Sequence, residues 1–270
     1  MQAWLGTLKN YFIVYGLFVK NCFMAQMEYR FNFFLGIGVE IAYLISKLLY
    51  VLVVYKTDLH IGDISPDGIL MFVGTFTLMT GIYSGFFFYN SLKITEYVRE
   101  GTLDLLMVKP ISLQFLVTLR YIHFGTPIPN VLAGIIMISI GWEAMGIPIT
   151  FLNLLGYCLF IAVATILTYC LMFLPALLSF WFVNTGGLAM IFYSIWDANN
   201  MPMAIYARWV RRIAVFVLPF MIITNFGPLW VMDKLSVYEL AWGLSVPVFM
   251  LVCFRLLWKS AIKNYSSASS

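Results

Sequence analysis

The stretch from Ala144 to Trp196 contains no formally charged side chain. At roughly 20 residues per crossing it is long enough for two membrane spans, and no water-soluble core needs such a run. The rest of the chain agrees. Of its 270 residues 62% are apolar and 10% charged, whereas a soluble fold spends about 25% on charge. The expected fold class is all-α, integral to a membrane.

The net charge of +4 is spread over short connections, which suits membrane orientation and argues against nucleic-acid binding. Cys22, Cys158, Cys170 and Cys253 lie in apolar segments without CxxC or Cys/His spacing, so they read as small buried hydrophobes and not as metal ligands or a disulfide framework. The first apolar run is interrupted by Lys9 and Lys20, and no small-residue cleavage site follows it. A cleavable signal peptide is therefore not expected, and the amino terminus is expected on the cytoplasmic side.

Along residues 4–28, Lys9, Asn10, Lys20, Asn21 and Glu28 fall within about one third of a helical circumference. That pattern suits a helix lying in the membrane interface, with a first spanning helix as the alternative. Six spans are expected after it. They are Phe31–Tyr55, Ile69 to about Leu92, about Leu113 to Trp142 (bent at Pro127 and Pro129), Phe151–Leu174, Leu178–Trp196 with Pro175 near the preceding turn, and Val237–Trp258. Ile213–Met232 is also long enough to cross, but Pro219 and Pro228 interrupt it. A seventh span would separate the termini, whereas Lys9, Lys20 and Arg30 at one end and Arg255, Lys259 and Lys263 at the other favour a common cytoplasmic side. Residues 202–234 are therefore expected to form a hairpin that dips into the outer leaflet and returns. This places Arg208, Arg211 and Arg212 outside, against the same charge rule.

In that topology the loop 56–68 is external, and ITEYVREGTLDLLMVKPI, residues 94–111, is cytoplasmic. Lys93, Glu96, Arg99 and Glu100 have the three- and four-residue spacings that allow ion pairs along one solvated side. Gly101 can end a helix in the left-handed conformation, Thr102 can cap a second short helix, and Asp104 would sit in its first turn. Leu103, Leu105, Leu106 and Met107 add apolar contacts before Pro110. Physics alone leaves two readings of this elbow at 93–109: a well-capped turn, or half of a docking contact with apolar anchors and a charged rim.

EYVREGTLDLLMVKPISLQF resembles the R-x-G-x-L-D-x-L-x-x-x-P signature of a branch of the ABC-2 type permeases, the membrane subunits of ATP-driven transporters. YARWVRRIAVFVLPFMIITNFGP, residues 206–228, resembles that family's external region, although Ala207 stands where a second proline is expected. The tail KNYSSASS, residues 263–270, resembles the family ending. The resemblance implies one transmembrane domain over residues 1–270. It further implies that the elbow is a coupling helix seated in a groove of a separate ABC ATPase subunit, with Glu96, Arg99, Glu100, Gly101, Leu103 and Asp104 carrying the contact. The chain has no G-x-x-x-x-G-K-S/T phosphate loop. It would hold no cofactor itself, and ATP and Mg would bind the partner ATPase. A second permease, identical or related, completes the implied assembly in a bacterial-type inner membrane, with export as the direction. The alternative is a membrane scaffold that recruits a cytoplasmic partner without transport.

Glu40 and Lys47, seven residues apart within the first span, share a face. They could line a pathway or a permease dimer seam, or snorkel or satisfy each other through an intermediate group. His123 reads as a switch or an interfacial anchor, and Arg208, Trp209, Arg211 and Arg212 as an interfacial anchor or a contact for lipid headgroups or an anionic substrate. With two histidines in the chain and no Ser/His/Asp or paired-carboxylate arrangement within a span, an intramembrane enzyme has little support.

Overall fold

Each apolar segment of the chain starts at a local signal. Ser65 accepts from the Gly68 amide at 3.3 Å ahead of Pro66, Thr150 from Asn153 at 3.2 Å, and Ser236 with Glu239 forms a reciprocal capping box. The computed structural model describes residues 2–182 and 184–265, and among these every named element is helical. The order is α1 (Gln2–Glu28), α2 (Arg30–Lys56), α3 (Pro66–Tyr83), a π-helical turn (Ser84–Phe88), α4 (Tyr89–Glu100), α5 (Asp104–Met107), α6 (Leu113–Leu119), α7 (Pro127–Ala144), α8 (Phe151–Met172), α9 (Leu174–Leu178), α10 (Gly186–Asp197), α11 (Arg208–Phe216), α12 (Ile222–Val231) and α13 (Val237–Asn264). The tail that resembles the family ending falls largely on 266–270, outside the described residues.

Among the described residues, five helices are long and apolar enough to cross a membrane: Arg30–Lys56, Pro66–Glu100, Pro127–Ala144, Phe151–Leu178 and Val237–Asn264. A sixth is counted if the pair α11 and α12, bent by 103°, is one broken span. The chain is a multi-pass membrane protein. α1 is not among the candidates, and its Lys9, Asn10, Lys20, Asn21 and Glu28 are all exposed.

Two expected spans differ from the observed helices. The third breaks instead of bending: non-helical residues part α6 from α7, because Pro127 takes the first turn of a new helix. The fifth is not a continuous helix. Pro175 sits in the first turn of α9, which extends the α8 span, and the chain then leaves helical geometry before α10. α10 has 12 residues and covers about 18 Å, short of the roughly 30 Å hydrocarbon layer. Freedom from charge made this stretch apolar, but Gly186 and Gly187 at its restart are poor helix formers.

The bundle has two ends, one marked by loop 57–65 between α2 and α3, the other by the elbow after α4. α10 starts beside α9, which packs on α4, and its continuation reaches α3 and α12. At Ala204 the chain lies next to Gly62, where an added Cβ would stand 3.8 Å from the alanine methyl. Beyond α12, Lys234 donates to the Asp63 carbonyl at 2.5 Å. Both ends of the bent segment 203–234 therefore meet the same loop.

α3 is the centre of the bundle and packs most extensively on α7. Gly74 and Gly81 of α3 interleave with Gly134 and Gly141 of α7, so closely that a Cβ on Gly134 would lie 2.6 Å from the Leu78 amide nitrogen. Small residues let membrane helices gain dispersion contact where lipid offers no hydrophobic driving force.

Candidate functional site

α4 ends in a closed left-handed turn. Gly101 has φ 68°, its amide donates to Val98 O at 3.4 Å, and the Thr102 amide donates to Tyr97 O at 3.0 Å, which is the paired pattern of a Schellman stop. α5 then begins at Asp104, with Leu103 and not Thr102 in the preceding position and no side-chain cap. Leu103 already has helical backbone angles, φ −60° and ψ −29°, so the Schellman turn runs directly into α5 without a side-chain cap at that position.

Helical phasing divides the elbow into a root and a face. Leu103 is wholly enclosed and Leu106 is buried, both in the cluster that holds Ile94 and Val117. Burying one such leucine favours this packing by about 1.5–3 kcal/mol. Leu103 was grouped from the sequence with the surface contacts; it is instead the root. The outward face consists of Arg99, Glu100, Leu105, Met107 and Val108, with Leu105 67% and Val108 79% exposed. Lys93 pairs with Glu96 at 2.6 Å, a half-exposed contact of small energetic weight. Asp104 borders Tyr265, whose phenol lies beside the Leu103 and Asp104 backbones.

Beneath the elbow is a hub that the sequence did not announce. Asn90, fully buried, donates to Phe86 O and Tyr121 O at 2.7 Å each and accepts from the Tyr121 amide at 2.9 Å. The π-helical turn frees the Gly85 carbonyl to accept from the His123 amide at 2.9 Å, the kind of local irregularity found at functional sites. Gln26 of α1 holds the same strip from the other side, donating to Ile122 O at 2.8 Å and accepting from the Phe124 amide at 2.9 Å. Tyr97 meets Tyr121 hydroxyl to hydroxyl at 2.6 Å. Residues 120–124 are thus clamped between α1, the π-helical turn and α4. The available signal was an amide side chain, Asn90, inside an apolar run. His123 stacks on Tyr89 at 4.8 Å, and burial pushes its imidazole below the ordinary value, with Glu40 opposing the shift.

Glu40 and Lys47 both turn into the bundle, each toward its own partner. Glu40 accepts from the buried Asn130 amide at 2.7 Å, whereas Lys47 donates to Thr77 at 3.5 Å and lies over the Phe76 ring at 5.0 Å. Asp197 at the end of α10 acts electrostatically on Lys47 together with Glu40. Asn130 and Asp197 were not singled out from the sequence, since only the fold carries them to α2.

The bent segment is latched at its entry. Thr224 donates to Asn199 O at 3.2 Å, Asn225 donates to Thr224 at 3.1 Å, and the Met203 amide donates to Asn225 Oδ1 at 2.7 Å. These bonds satisfy backbone left open where the chain turns irregular among apolar helices. On α11, Arg208 and Arg212 are exposed, Arg211 is partly covered, and Trp209 is 68% exposed.

A family model described as ABC-2 family transporter protein matches residues 41–269. The chain belongs to this family. The ABC-2 family match takes in the elbow, the hub, Lys47, Asp197 and the whole segment 203–234, and it begins beyond α1 and Glu40. Comparison with curated proteins and with solved structures gave no match. An ABC-2 protein of this kind is a membrane component of transport, and the family typically works with an ATPase subunit.

Proposed function

We propose that this chain is the permease subunit of an ATP-driven exporter and that the elbow, residues 93–109, is the coupling helix on which a separate ATPase subunit pushes. The observation that carries the reading is the form of the elbow: a Schellman-closed helical knob between the second and third apolar spans, rooted by Leu103 and Leu106, with Leu105 and Val108 exposed beside Arg99 and Glu100. Apolar anchors inside a charged rim are what a docking contact requires. Glu96, Arg99, Glu100, Gly101 and Asp104 shape or rim that contact, and Leu103 supports it from below.

In this reading the elbow and both termini are cytoplasmic in a bacterial-type inner membrane, and α1 lies in the interface. Residues 202–234 form a re-entrant hairpin on the outer side, a reading supported by the contact of both its ends with loop 57–65. ATP with Mg binds on the partner. Closure of two ATPase subunits draws two permeases, identical or related, into a new arrangement, and the clamped strip 120–124 passes the motion to α7. Glu40 and Lys47, with Asn130, Thr77 and Asp197, would line the pathway or the permease seam. Their polar partners at this depth support that placement.

The test replaces Glu100 or Asp104 by arginine. Each variant is expected to insert normally yet lose ATPase association and transport. Unchanged co-purification and transport in both variants would defeat the proposal.

A further inference from the structure

α10 and α11 do not close on each other. Between them lies an open groove of about 500 Å³, walled by Ile191, Ile195 and Ala198 on one side and by Trp209, Val210 and Ile213 on the other. Its lining is almost entirely apolar, with wall residues that include Ile191 and Ile213, about half exposed.

The charge around this groove is one-sided. At about 100° per residue, Arg212 lies about 60° round α11 from Trp209, and Arg211 about 60° round from Ala214, at the opposite edge of the apolar face. Arg208 stands on the polar side of the first turn. α11 is therefore an interfacial helix in form, arginines on one face and Trp, Val and Ile on the other. The carboxylate on the facing helix, Asp197, interacts electrostatically with Lys47 of α2. A cationic rim over an apolar slot is complementary to an anionic head joined to an alkyl chain.

We infer that the α10–α11 groove is a binding site for an anionic phospholipid of the bilayer, one acyl chain lying in the slot and the phosphate resting on Arg212 at its edge. The arginine fork suits phosphate oxygens, and Trp209 closes the slot at headgroup level, where its ring is at home. The inference needs only membrane embedding and stands apart from the ATPase contact proposed above.

The test uses the full-length protein in phosphatidylcholine nanodiscs doped with phosphatidylglycerol bearing a photoreactive group in one acyl chain. Label should concentrate on peptides spanning 190–198 and 209–214 and should be displaced by plain phosphatidylglycerol, not by extra phosphatidylcholine. Removing the charge at the slot's edge with R212Q should reduce labelling about fivefold, and R208Q, on the side of α11 away from the slot, should reduce it less. Filling the slot with A198F should abolish it with the charges intact. Equal labelling by a phosphatidylcholine probe, or label spread evenly over α2, α10 and α13 and unchanged by R212Q and A198F, would overturn the inference and leave an ordinary lipid belt. Retained co-purification of the ATPase with these variants would separate the outcome from any failure of the permease reading.

Discussion

Replacing Gly134 by alanine adds one methyl group at the tightest of the glycine contacts between α3 and α7. That carbon would lie 2.6 Å from the Leu78 nitrogen and 2.8 Å from both the Gly74 oxygen and the Leu78 α-carbon. All three are backbone atoms and cannot swing aside. Ordinary contact needs about 3.5 Å, so α3 and α7 must part by roughly 0.9 Å, a gap that forfeits a quarter to a half of the dispersion between facing atoms. With the usual cost of overpacking, Gly134→Ala should destabilise by about 1–3 kcal/mol. The control is Gly36→Ala on α2, where an added carbon meets nothing within 4 Å and the gain in helix propensity is about 0.5–1 kcal/mol. Equilibrium unfolding of the purified protein in detergent, titrated with SDS and followed by circular dichroism, compares them. The midpoint should fall for Gly134→Ala and hold or rise for Gly36→Ala. A wild-type midpoint for Gly134→Ala, or an equal fall in both, would refute the packing argument.

The two leucines of the elbow should separate stability from docking: Leu103→Ala empties an enclosed site and should cost about 2–5 kcal/mol, whereas Leu105→Ala should leave unfolding unchanged and weaken ATPase association in a pull-down. Asn90→Leu strands the Tyr121 amide and carbonyl and should cost about 1–3 kcal/mol; protection of 120–124 in hydrogen exchange should collapse with it. Because burial lowers the His123 pKa from 6.5, the unfolded chain binds the proton more readily. Stability from His123 is then fully present above about pH 6.5 and is lost as pH falls through its lowered folded-state pKa, and His123→Gln should flatten that slope in SDS titrations at each pH.

Much of the bundle is legible in one dimension because apolar length and charge position are one-dimensional properties. Phe31–Tyr55 and Val237–Trp258 read directly as α2 and α13, and the elbow's stop at Gly101 follows from the glycine itself. The broken fifth crossing was not legible, since hydropathy records the apolar length of 178–196 and says nothing of where its backbone unwinds. The clamp at Asn90 was hidden for another reason. Its partners are carbonyls and amides at positions 86 and 121, and backbone groups leave no mark in a sequence. Leu103 was not legible as a root because it lies in the turn just before the four-residue α5, where no periodicity shows which leucine points inward. Glu40 and Lys47 were visible as costly charges, but Asn130, Thr77 and Asp197 reach them only through helix packing.

The central claim is that the elbow is where the ATPase docks. A photo-crosslinking amino acid placed at Leu105, at Glu100 or, as control, at Asp63, tests it in membranes that also contain a candidate ABC ATPase that co-purifies with the wild-type chain. The account predicts a permease–ATPase adduct from positions 105 and 100 and none from 63. An adduct from 63, or an intact complex that yields none from 105 and 100, would contradict it.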